Sequence, residues 1–372
     1  MWGIKSFNII IGEVLHMLTE IKQDEMTSKE RMKFFSKGEE VDRIPCSPIM
    51  GVTSAPMFGI TPKEYDYSAE IMANVEIEVY KKFKADGTGI GTGLRGIAEA
   101  MGTKIEYPKV GVSYVKEPLL KSYDDLGKLK IVDPHKDGRL PIILEAIQRI
   151  DKAVGHEVGV STDIAGPISI AAAVRGAENL MKDIRRCPDK LHELLQLVTE
   201  CNLRFIDAAC SLGYGVGFSD PVASCSMISS KQFKEFAKPY LKQCIDRVVK
   251  WRGPGVFLHI CGKSRDIWED MIELGVSTFS IDNVESLEEA KKVVGDKVCL
   301  VGNVRPVETL RLGTTEDVYK ESKECIEIGW NNPKGYILST GCQIPIGTSE
   351  KNIKALVDSA RMYGRGYRIP SK

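Results

Sequence analysis

Gly255-Val256-Phe257-Leu258-His259-Ile260-Cys261-Gly262 is a short apolar run that ends on a histidine, a cysteine and a glycine. Side chains on a strand alternate faces, so His259 and Cys261 point the same way. The run reads as a buried strand that presents two metal-capable groups where it ends. The same grammar recurs along the chain. Candidate strands cover residues 44–52, 86–92, 157–163, 215–220, 255–261, 277–282, 298–303 and 335–342. Between them fall helical patterns over 68–83, 140–154, 178–185, 189–212, 229–250, 264–274, 286–294, 315–328 and 350–363.

Near-continuous apolar strands that alternate with amphipathic helices argue for a parallel sheet. Eight such units predict an α/β fold, a (β/α)8 TIM barrel. Residues 102–134 break the rhythm and read as an insertion, a hairpin and loop over the barrel mouth. Thr27 and Ser28 supply a helix start after Met26. Residues 1–25 therefore read as an appended N-terminal helical extension that packs on the body or on a partner subunit. Residues 26–372 read as a single barrel domain.

The bulk numbers exclude several classes. The 372 residues carry 51 basic and 51 acidic side chains, so no charge excess points to nucleic acid. The apolar N-terminal stretch is too short and too charged to span a membrane. Ten cysteines without paired spacing indicate a reducing, cytoplasmic setting. A homo-oligomer stays open.

A barrel keeps its chemistry at the C-terminal ends of its strands. Those ends here are Asp163, Asp220, His259, Cys261, Asp282, Asn303 and Cys342. Asp220 and Asp282 could instead cap the helices that follow them. Two Cys and one His are three of the four ligands of a catalytic zinc site, whose fourth position stays open. From spacing alone, ordinary buried residues remain the alternative.

Around these ends the chain resembles the uroporphyrinogen decarboxylase superfamily, and within it the methylcobamide:coenzyme M methyltransferase branch. The resemblance rests on Asp42-Arg43-Ile44-Pro45, Gly166-Pro167 with Arg175-Gly176, and Asp220-Pro221 followed by Phe233, Phe236, Pro239 and Tyr240. It rests further on His259-Ile260-Cys261-Gly262, Gly302-Asn303-Val304, and Gly341-Cys342 with Asn352. It implies Zn²⁺ held by His259, Cys261 and Cys342; Asp282 could serve as a fourth ligand or orient His259 through its other ring nitrogen. It also implies methyl transfer between a methylcobamide (cobalamin) on a corrinoid protein and a small thiol or other methyl donor. Two Cys ligands keep a zinc-bound thiolate electron-rich and nucleophilic.

True uroporphyrinogen decarboxylases place an arginine-rich motif after the first strand's proline. Here that stretch, residues 46–53, holds no arginine, and an anionic tetrapyrrole needs bidentate arginine partners. A decarboxylase of a small carboxylate stays open if Arg95, Arg175 or Arg305 supplies a cation pair. Demethylation of a methoxylated or methylthio compound onto Co(I), and a non-catalytic partner of a corrinoid protein, stay open too.

Two motifs distract. Asp133-Pro134-His135-Lys136-Asp137-Gly138 fits a corrinoid lower-ligand loop, yet it sits in a connection. Gly91-Thr92-Gly93-Leu94-Arg95-Gly96 fits a dinucleotide fingerprint but lacks the acidic residue about 20 positions on. Gly91 and Gly93 instead let another molecule approach the mouth closely. With Asp220 and Asn303 they are the positions expected to face the cofactor.

Overall fold

The computed structural model describes residues 21–108 and 111–370. Its strands are β1 (Val41–Arg43), β2 (Thr88–Gly89), β3 (Lys104–Glu106), β4 (Tyr114–Glu117), β5 (Val160–Ala165), β6 (Gly215–Ser219), β7 (Phe257–His259), β8 (Thr278–Ser280), β9 (Cys299–Val304), β10 (Tyr336–Thr340) and β11 (Arg365–Tyr367). Seven of them form one parallel sheet in the order β10-β9-β8-β7-β6-β5-β2. Residues 45–47 fill the gap between its edges. Leu338 donates to Pro45 O, Ser47 donates to Leu338 O, and Asp86 donates to Cys46 O, so the sheet curls into a barrel.

The outer helices are α1 (Ala69–Phe83), α2 (Leu140–Val154), α3 (Pro188–Ser211), α4 (Lys238–Arg252), α5 (Trp268–Glu273), α6 (Leu287–Val294), α7 (Thr315–Gly329) and α8 (Glu350–Tyr363). Their positions follow from sequence. In α2, Leu140, Ile143, Leu144, Ile147, Ile150 and Val154 recur at helical spacing and are all buried. Ser68, Ser286 and Ser349 each accept a backbone N–H in the first turn and so fix where α1, α6 and α8 begin. Apolar burial is the main force holding this shell on the sheet.

The first expected strand, 44–52, is corrected. Only Cys46 bridges the sheet there, because Pro45 and Pro48 have no N–H to give a ladder. A 3₁₀ turn, Val52–Phe58, follows. The barrel is locked at this point by charge. Asp86 accepts from Arg31 and Arg43 at 2.6 Å each and from the Cys46 N–H at 2.7 Å. All three side chains of that ion group are fully buried.

Within residues 102–134, β3 and β4 pair antiparallel, as the expected hairpin does. Arg175 fastens it by donating to Leu120 O and Lys121 O. The helix expected within residues 1–25 lies outside the described residues, apart from the irregular stretch 21–25. There Asp24 pairs with Arg43 and Arg361. Among the described residues no helix is long and apolar enough to cross a membrane.

Candidate metal centre

β7 ends at His259, and the chain then turns through Cys261 and Gly262. The His259 Nε2 lies 3.0 Å from Cys261 Sγ, and Cys261 Sγ lies 3.6 Å from Cys342 Sγ. Donor atoms of His259, Cys261, Asp282 and Cys342 all fall within 4.8 Å of one another. Four residues from β7, β8 and β10, up to 83 positions apart, thus meet at the C-terminal mouth of the barrel.

The surroundings hold these groups in place. Ser280, the register partner of His259, places its hydroxyl 2.9 Å from His259 Nδ1. That leaves Nε2 to face the sulfurs. Asp282 does not orient His259. Its carboxylate accepts the Gly262 N–H at 2.7 Å and the Val284 N–H at 3.0 Å, which steadies the turn carrying Cys261. Gly341 precedes Cys342 because the backbone passes close to Asn283; a Cβ there would stand 2.4 Å from the Asn283 nitrogen.

The two sulfurs are electrostatically unequal. The hydrogen bond from Cys261, opposed by burial and aided by His259, pulls the Cys342 thiol well below its ordinary range. The same hydrogen bond, with burial, pushes Cys261 up. The site therefore already favours a thiolate, the form that binds metal. Two thiolates at about 2.3 Å from a tetrahedral zinc stand about 3.8 Å apart, close to the spacing found. The donor set and its spread fit zinc.

Other expected residues fall elsewhere. Asp220 is fully buried and turns to the helix Pro167–Arg175, accepting from Ser169 N at 3.1 Å and from Ser169 Oγ at 2.5 Å. It makes no side-chain cap on the turn that follows it. Burial, opposed by those Ser169 contacts, raises its carboxyl to about 7. Asn303 donates to Asp282 O and Glu285 O and so ties β9 to the loop of Asp282. Gly91 lies against Asp163, where a Cβ would meet its carboxylate at 2.1 Å. Gly93 takes a left-handed conformation with open space around it. Ser280 was missed by the sequence reading; its signal was its position two before Asp282 on the same strand face.

The candidate cations sort clearly. Arg175 is committed to Asp183 and the hairpin carbonyls, and Arg305 to Glu321. Arg95 has no carboxylate partner among the described residues.

Comparison with known proteins agrees with this architecture. Residues 27–363 match the family model described as Uroporphyrinogen decarboxylase (URO-D). The methylcobamide:CoM methyltransferase MtaA of Methanosarcina barkeri is 29% identical over 353 residues, covering 91% of this chain and 99% of that relative. The methylated-thiol–coenzyme M methyltransferase of Methanosarcina mazei is 25% identical over 345 residues, covering 91% and 90%. A uroporphyrinogen decarboxylase of Prochlorococcus marinus is 27% identical over 310 residues, covering 80% and 86%. A solved methyltransferase structure from Methanosarcina mazei superposes with a TM-score of 0.80 at 29% identity, covering 90% of this chain and 98% of that one. With the family match spanning nearly its whole length, the chain belongs to the uroporphyrinogen decarboxylase (URO-D) family.

Proposed function

We propose that this chain is a zinc-dependent, corrinoid-linked methyltransferase that moves a methyl group between a methylcobamide on a partner corrinoid protein and a small thiol. The observation that carries the reading is the convergence of His259, Cys261 and Cys342, with Asp282, at the barrel mouth. Similarity to methylcobamide:CoM methyltransferases over nine-tenths of the chain supports the reaction class. The decarboxylase alternative loses its cation pair, since Arg175 and Arg305 are spent internally.

His259, Cys261 and Cys342 would hold the zinc, which when bound would offer an open position where an acceptor thiol sits as thiolate near neutral pH. The chain's own residues do the rest. Ser280 fixes the imidazole, and Asp282 steadies the loop of Cys261 through the Gly262 N–H. Preorganised donors at the strand ends spare the site reorganisation during transfer. In the transfer the acceptor sulfur attacks the methyl carbon, and the cobalt–carbon electron pair stays on cobalt as Co(I). The reverse direction, from a methylated thiol to Co(I), uses the same residues, and the Methanosarcina mazei methylated-thiol relative favours testing it.

The test is metal analysis of the purified protein beside His259→Ala, Cys261→Ala and Cys342→Ala. The wild type is expected to hold equimolar zinc, and each variant to lose it while the barrel stays folded. Full zinc in Cys342→Ala would sink the assignment.

A further inference from the structure

We propose that Asp163 is the residue that takes the proton of the bound acceptor thiol before methyl transfer. The inference rests on the methyltransferase reading above and adds a residue to it.

Register places Asp163 in the barrel lumen. Ser219 is the partner of both Ala165 and His259, so these three side chains share one face of the sheet. Asp163, two residues before Ala165, shares that face as well. Its level in the barrel follows from the donor set. His259 is in register with Ser280, Ser280 with Val301, and Val301 with Ile337. Yet the donors that meet His259 and Cys261 are Asp282, two residues past Ser280, and Cys342, five past Ile337. Toward β10, a given level is reached by later residues. Toward β5 it is reached by earlier ones, which brings Asp163 to the level of His259. The strands of a barrel interleave in layers in this way.

Asp163 is half-buried, and its partners differ from those of the enclosed acids. Asp86, Asp183 and Asp358 each meet an arginine, Asp282 and Asp220 accept backbone N–H groups, and Glu76 accepts the Tyr65 hydroxyl. No described residue donates a hydrogen bond to the Asp163 carboxylate. Its register partner on β6 is Gly217, and Gly91 lies against its other side, so neither neighbour brings a side chain to it. The titratable groups whose fields reach it are His259 from β7 and Tyr65 from the short helix Pro62–Asp66, whose hydroxyl is engaged by Glu76. Burial raises the Asp163 carboxyl to about 6, with His259 acting in the opposite direction. A half-buried lumen carboxylate with no hydrogen-bond donor on it is free to take a proton from a bound group.

Once the thiol is bound, its S–H bond breaks, the electron pair stays on sulfur, and the proton passes to the Asp163 carboxylate and from there to solvent. The sulfur electron pair forms the new bond to the methyl carbon, and the cobalt–carbon pair remains on cobalt.

Asp163→Asn keeps the shape and removes the base. Zinc content, proton release and the pH profile of kcat with methylcobalamin and a thiol are compared with wild type. The variant is expected to hold equimolar zinc and to lose about 10²–10⁴-fold in kcat near pH 7. The wild-type rise of kcat through the Asp163 titration should vanish, and the rate should recover above the pKa of the free thiol. Gly91→Ala, which leaves no room for the carboxylate in its present place, should show the same lost limb with Asp163 still present. A fully metallated Asp163→Asn with kcat within about threefold of wild type and an unchanged profile overturns the proposal. Loss of zinc in Asp163→Asn overturns it too, since Asp163 would then support the metal. A wild-type protein with no methyl transfer at all defeats the underlying reading instead.

Discussion

Ser280 stands 2.9 Å from the Nδ1 of His259, and the two are register partners on adjacent strands. The hydroxyl is therefore delivered by the sheet itself, not by a loop. Groups that hold the far nitrogen of a metal-binding imidazole set its orientation and basicity. Ser280→Ala is expected to weaken zinc binding about 10–100-fold while leaving the fold intact. Competition with a chelator measures this, and unchanged affinity would remove Ser280 from the account.

The closure of the barrel hangs on Asp86. It joins Arg31 and Arg43 and also takes the Cys46 N–H, at the one place where prolines interrupt the ladder. Asp86→Ala leaves two buried guanidinium groups without that carboxylate and is expected to cost about 3–5 kcal/mol. Urea unfolding reads it; a loss below about 1 kcal/mol would mean that the ion group does not hold the first strand in place.

Glu76 makes stability depend on pH. Burial raises its carboxyl from an ordinary 4.5 to about 7, with the Tyr65 hydrogen bond acting in the other direction. Its folded pKa lies above the unfolded one, so the folded chain holds a proton that the unfolded chain has released. The contribution is full below about 4.5 and is lost as pH rises through about 7. Glu76→Gln should flatten unfolding free energy between pH 5 and 8 and make the variant the more stable protein at pH 8. The difference is at most about 3 kcal/mol. Parallel pH curves for the two proteins would refute it.

Substrate binding should release protons. A thiol that binds as thiolate gives up its proton near neutral pH. Calorimetry of coenzyme M, methanethiol and homocysteine in buffers of different ionisation enthalpy measures it. Absence of release with every thiol, together with demethylation of a methoxylated aromatic, would shift the reading to ether demethylation.

Much of this was legible in the residues. The strand around His259 and its seven counterparts carry apolar runs that end on polar groups, and the barrel follows from their alternation with helices such as α2 and α8. The first strand was overdrawn because Pro45 and Pro48 limit its pairing, a cost that hydropathy does not record. His259, Cys261 and Cys342 could be named from their residue types and flanks. Ser280 and Asp163 take their meaning from neighbours on other strands, and cross-strand register is not written in any single segment. The helix Pro167–Arg175 was missed because its residues from Ile168 to Val174, apolar apart from Ser169, are buried on every side and show no periodicity.

The central claim is most directly tested by mixing the zinc-loaded protein with methylcobalamin and an excess of thiol and following the cobalamin absorbance without oxygen. The account predicts conversion of methylcobalamin to Co(I) with an equal yield of methylated thiol, and neither product with Cys342→Ala. Methylcobalamin left intact by the zinc-loaded wild type, with every thiol and with a methylated corrinoid protein supplied in its place, would contradict it.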